Sequence, residues 1–145
     1  MRVKNGTSRI AKVGAIAVFA TGLALGSYSV ANADTVESVS VTPTSGLTNG
    51  ATVQVSGSGL APNSTFWIGE CGQVGADCLG DAGRVLQVTS NSSGSISTPL
   101  TVVKQFNGHK ADGSTVAIDC NTVQCAVGVF TADASNVGKV TISFQ

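Results

Sequence analysis

The sequence predicts an all-β fold, an immunoglobulin-like antiparallel sandwich of two sheets, and three observations carry that reading. Apolar and polar residues alternate at a period of two in short segments, as in Val39/Val41, Val53/Val55 and Val140/Ile142/Phe144. Turn-forming clusters separate such segments: Thr48-Asn49-Gly50, Ala61-Pro62-Asn63, Asn91-Ser92-Ser93-Gly94 and Ala111-Asp112-Gly113. No window sustains a 3.6-residue apolar period, so almost no helix is expected.

Taken in order, the chain opens on a secretory signal peptide, residues 1–33. Arg2, Lys4, Arg9 and Lys12 form a basic start, and Val13 to Gly26 is an uncharged apolar run. Ala31-Asn32-Ala33 supplies the small residues a signal peptidase needs, which places cleavage before Asp34. A membrane anchor is the competing reading. The run is diluted by Gly14, Gly22 and Gly26 and falls below the ~18 apolar residues needed to span hydrocarbon. No cysteine follows it for lipid attachment.

Residues 34–145 then form one domain. Strands are expected over Ser38–Val41, Thr52–Ser56, Thr65–Cys71, Arg84–Thr89, Ser95–Val103, Thr115–Cys120, Ala126–Thr131 and Lys139–Phe144. After cleavage only Arg84, Lys104, Lys110 and Lys139 oppose eight acidic residues, a formal charge of −4. Direct nucleic-acid binding depends on clustered Lys and Arg, so that class is excluded. The four cysteines, Cys71, Cys78, Cys120 and Cys125, read as two disulfides of an exported protein. Of three connectivities, 71 with 78 and 120 with 125 is expected, since each closes a short loop. Neither spacing is C-x-x-C and His109 is the sole histidine, so no metal site is expected.

Strand parity points to a candidate site. In Thr65–Cys71, Phe66 and Ile68 share the core face, which sends Trp67, Gly69 and Cys71 outward. In Cys125–Thr131, Val127 and Val129 suit the core, so Ala126, Gly128 and Phe130 face outward too. Aromatics beside small residues on outer faces suggest a groove, and a strand glycine often marks close approach by a ligand. The alternative is that Trp67 and Phe130 pack on each other or under a loop. His109 with Asp112 and a serine is a nominal catalytic set, but spacing alone positions no base, and no enzyme is expected. Asn63-Ser64-Thr65 and Asn91-Ser92-Ser93 match the glycosylation pattern by chance. Gly57-Ser58-Gly59 lacks the lysine and helix of a phosphate loop.

Val41-Thr42-Pro43-x-x-Gly46-Leu47-x-x-Gly50, followed by Val53-x-Val55-x-Gly57-x-Gly59-Leu60, resembles the opening of the neocarzinostatin family of enediyne chromoproteins. Ile68-Gly69-Glu70-Cys71, Phe106-x-Gly108, Asp112-Gly113-Ser114, Ile118-Asp119-Cys120, Cys125-x-Val127-Gly128 and Ile142-Ser143-Phe144 continue the resemblance in order. The resemblance implies a seven-stranded sandwich with a small β-ribbon subdomain and a cleft between them. It also implies a secreted, monomeric, non-catalytic carrier of a small apolar ligand, a non-covalently held enediyne-type chromophore. DNA would be damaged only indirectly, by the released chromophore, in an antibacterial role. Ligand-binding residues are then expected at Trp67, Gly69, Glu70, Cys71, Cys78, His109, Gly113, Ala126, Gly128 and Phe130, with Glu70 and His109 as rim groups. The chain departs from the family where Gln73 and His109-Lys110-Ala111 stand in place of aromatics, while Trp67 and Phe130 add bulk to the strands. From another class comes the alternative of a cargo-less interaction or adhesion module of the bacterial envelope.

Overall fold

A computed structural model describes residues 36–145. The expected signal peptide and its cleavage site lie outside the described residues. Ten strands run in the order β1 (Ser38–Thr42), β2 (Thr52–Ser58), β3 (Thr65–Val74), β4 (Asp77–Gly80), β5 (Leu86–Thr89), β6 (Ile96–Thr101), β7 (Gln105–His109), β8 (Thr115–Asp119), β9 (Cys125–Thr131) and β10 (Asn136–Ile142). Among the described residues the sole helical turn is a 3₁₀ turn, Ala82–Arg84, capped where Asp81 Oδ1 accepts the Gly83 N–H at 2.9 Å. Arg84, expected to open a strand, belongs to that turn and pairs with Asp81 at 3.2 Å.

The sandwich sets β1–β2–β6 against β10–β9–β3–β5, seven antiparallel strands in all. The alternation read from the sequence explains why both sheets bury one face: Val41, Val53, Val55 and Leu100 meet Phe66, Ile68, Val127, Val129 and Ile142 in one apolar cluster. At about 25 cal/mol per Å² of apolar surface removed from water, this cluster is the main stabilising contribution.

β3 is the strand that positions the site. Along one edge its first half, Thr65–Ile68, pairs with β5 and its second half, Cys71–Val74, pairs with β4, while β9 pairs along the other edge from Phe66 to Gly72. β7 and β8 form a separate ribbon. Neither β4 nor β7 was expected from the sequence. The ribbon docks by close approach at two glycines. A Cβ on Gly72 would lie 2.3 Å from Ile118 Cγ2, and one on Gly108 would lie 2.7 Å from Leu79 Cβ. Ile118 and Phe106 are thereby drawn into the core cluster. The disulfides are Cys71–Cys78 and Cys120–Cys125, the expected sequence-near pairs. The first ties β3 to β4, and the second ties the exit of β8 to the start of β9.

Candidate ligand-binding site

The outward residues of β3 and β9 lie directly opposite one another: Trp67 with Phe130, Gly69 with Gly128, and Cys71 with Ala126. This row is the one strand parity implies. It is not an open floor, however. Gly69, Cys71, Ala126 and Gly128 are buried, and Trp67 at 37% exposure is its open end. The cause is the chain's own side chains. Phe130, half-buried, folds back along its strand so that its Cζ lies 2.6 Å and its Cε2 2.7 Å from where a Gly128 Cβ would stand. Val85 covers the other glycine, with Cγ2 3.4 Å from a Cβ built on Gly69. Trp67 itself does not fill the row.

Sequence reasoning overlooked three neighbours of this row. Val85 and Gln87 precede and join β5, where Gln87 lies opposite Trp67; Lys139 on β10 lies opposite Gly128. The signal was present in parity. Lys139 alternates with the apolar Val140 and Ile142, and Gln87 with Leu86 and Val88. Val85 and Lys139 are exposed, so the surroundings of the row are apolar on one side and cationic on the other.

Glu70 corrects the expectation of a rim carboxylate. It shares parity with Phe66 and Ile68, points away from the row, and is 4% exposed. Its Oε2 accepts the Val103 N–H at 2.8 Å, and its Oε1 lies 3.8 Å from Cys120 Sγ. Val103 precedes β7 and Cys120 follows β8, so Glu70 meets both legs of the ribbon at its root. Burial pushes its carboxyl up to about 7, against the lowering effect of the Val103 bond and of Arg84; Asp81 adds to the rise. Glu70, Cys120 and Cys125 bring three ligand-type atoms within 4.8 Å of one another, but both sulfurs are bound in a disulfide and offer no thiolate to a metal.

His109 and Gly113 are not brought to the row. His109 is exposed at the end of β7, opposite Thr115. Gly113 has φ +84° in the turn between β7 and β8, where its N–H donates to Lys110 O at 3.0 Å. Its glycine serves the turn. In the same turn Asp112 Oδ1 accepts from Ser114 N–H and Oγ–H, which holds its carboxyl below the usual range. Asp112 is thus engaged with Ser114 rather than with His109. Cys78 is half-buried beside the row's disulfide end.

Surface depressions among the described residues lie elsewhere. One of about 480 Å³, between the edges of β5 and β6, is lined by Arg84, Leu86, Pro99 and Thr101 among others. One of about 410 Å³ lies on the ribbon, and one of about 450 Å³ lies by Thr65 and Thr131 at the other end of the row's strands. None is lined by a residue of the Trp67 to Ala126 row.

A sequence profile of the neocarzinostatin family matches residues 39–144, which takes in every strand but the first residue of β1. The chain belongs to the neocarzinostatin family. Over 145 residues it is 32% identical to the antitumor antibiotic C-1027 apoprotein of Streptomyces globisporus, covering 99% of both chains. It is 34% identical to macromomycin of Streptomyces macromomyceticus over 131 residues, 88% of this chain and 89% of that protein. The solved structure of macromomycin superposes with a TM-score of 0.69 at 32% identity, covering 75% of this chain and 99% of that one. The solution structure of apokedarcidin superposes with a TM-score of 0.61 at 31% identity, covering 76% and 99%. The described residues of this chain form an antiparallel β-fold held by two sequence-near disulfides.

Proposed function

We propose that the protein is a secreted, non-catalytic, monomeric carrier of a small apolar ligand, held without a covalent bond in the manner of an enediyne-type chromophore. The observation that carries this reading is the outward row, where exposed Trp67 stands beside a facing glycine pair in a chain of this family. A relative bears the name of an antitumor antibiotic apoprotein, which supports a cargo of that kind. Trp67, Gly69, Gly128, Cys71, Cys78 and Ala126 would contact it through stacking and burial, without need of charge, with Phe130 at its edge. DNA would be reached only through a released chromophore. Among the described residues no helix is long and apolar enough to cross a membrane, and cleavage after Ala33 would free the domain to the exterior.

The test is purification of the protein from culture medium of its native producer, with mass and absorbance recorded before and after organic extraction. An extractable chromophore whose removal changes Trp67 emission is expected. A protein that carries nothing, and whose Trp67 emission ignores every apolar compound offered, would overturn the carrier reading. One observation favours a second reading, a cargo-less interaction module of the envelope: Phe130 and Val85 already cover the glycine pair. Retention of the apoprotein in the cell-wall fraction would favour it.

A further inference from the structure

The row contains a feature that the carrier reading alone does not explain. Gly128 lies in the middle of β9 with no positive φ, so its backbone does not call for glycine. What calls for glycine is Phe130, whose ring occupies the space a side chain at 128 would take. The facing Gly69 makes the floor two residues wide and free of Cβ atoms, a flat strip of backbone on which an aromatic ring lies well. The ring now resting there belongs to the protein. Phe130 is half-buried and stands outside the apolar cluster of the sandwich, so the core does not hold it in place. A side chain outside the packed core can exchange among its staggered rotamers.

We propose that Phe130 is a displaceable plug and the specificity-determining residue of the row, its ring reserving the Gly69–Gly128 seat for a ligand with a planar aromatic group that can replace it. The proposal rests on the carrier reading. The plug shields the floor while the protein is empty, and a ligand without a flat ring cannot recover the stacking that displacement gives up. Trp67, directly across from Phe130, flanks the seat and reports on its occupancy. If the ring is seated about nine-tenths of the time, apparent affinity is about tenfold below that of the open seat.

The experiment uses the oxidised Asp34–Gln145 protein and the neutral planar probe N-phenyl-1-naphthylamine, titrated by probe and Trp67 fluorescence. Phe130→Ala is expected to bind the probe about tenfold more tightly than the parent. A companion comparison checks the seat without a ligand. Gly128→Ala should lower Tm in the parent, where the new methyl meets the Phe130 ring, and should have little effect in the Phe130→Ala background. Equal or weaker probe binding by Phe130→Ala overturns the plug while leaving the carrier reading intact, since Phe130 would then be a wall of the site. A Gly128→Ala cost independent of Phe130 also overturns it. Absence of probe binding to both proteins, each folded by Tm, overturns the plug and the carrier reading together.

Discussion

At Glu70 the chain places a carboxylic acid where, among the described residues, the one hydrogen-bond donor facing it is the Val103 N–H, and this sets a pH dependence. With its carboxyl pushed up to about 7, the folded state keeps a proton that an unfolded carboxyl with pKa 4.5 has lost. Stability should therefore fall as pH rises from about 4.5 to about 7, with the loss complete above that, and amount to no more than about 3 kcal/mol. Urea unfolding at pH 5 and pH 8 should show the decline in the parent and a flatter profile in Glu70→Gln. Ser90, the other buried polar side chain among the described residues, acts through geometry alone. Its Oγ donates to Ala61 O at 2.6 Å and accepts the Ser64 N–H at 3.0 Å. Ser90→Ala strands both groups and should cost about 1–2 kcal/mol by denaturant melts. Of these residue-scale features, the inward aim of Glu70 followed from its parity with Phe66 and Ile68, yet the sequence reading set it at the rim on the strength of a family resemblance. The fold-back of Phe130 onto Gly128 was not legible, since it depends on a rotamer that strand periodicity does not specify.

The strands themselves were legible where the period-2 pattern was strong, and the two that escaped show why. β4 is four residues, Asp77-Cys78-Leu79-Gly80, and β7 reads Gln105-Phe106-Asn107-Gly108-His109, each with a single large apolar residue. Their pairing comes from tertiary contacts: Leu79 under Gly108, Ile118 in the notch at Gly72, and Phe106 in the core cluster. The Cys120–Cys125 bridge anchors the return from this ribbon into β9. Replacing both cysteines by alanine should cost about 2 kcal/mol of global stability, with faster amide exchange in β7 and β8 than in β2 or β9. Turn chemistry was easier to read. Asn91 Oδ1 accepts from Ser93 N–H, Ser93 Oγ–H and Ser95 N–H, which shapes the turn before β6. Gly94 closes it at φ +72°, where a Cβ would lie 2.1 Å from Leu60 O. Gly94→Ala should cost at least about 2 kcal/mol in a thermal or urea melt.

At the scale of the molecule, two sheets with a closed apolar interior leave the Trp67 to Ala126 row on an outer face that stands apart from the main apolar cluster. For the secreted form, intact-mass measurement should give Asp34 as the first residue and two disulfides, and sedimentation should give a monomer. His109→Ala should leave probe binding at the row unchanged within about twofold, because His109 is exposed on the ribbon and does not reach the row. The arrangement at Phe130 carries a consequence for descent. Phenylalanine and serine codons differ by a single base, and position 130 lies outside the sandwich's apolar cluster. One nucleotide change therefore separates a row that shelters its own ring from one that lies bare, and the fold itself offers little resistance to the exchange. A lineage can pass between these two conditions without rebuilding its interior.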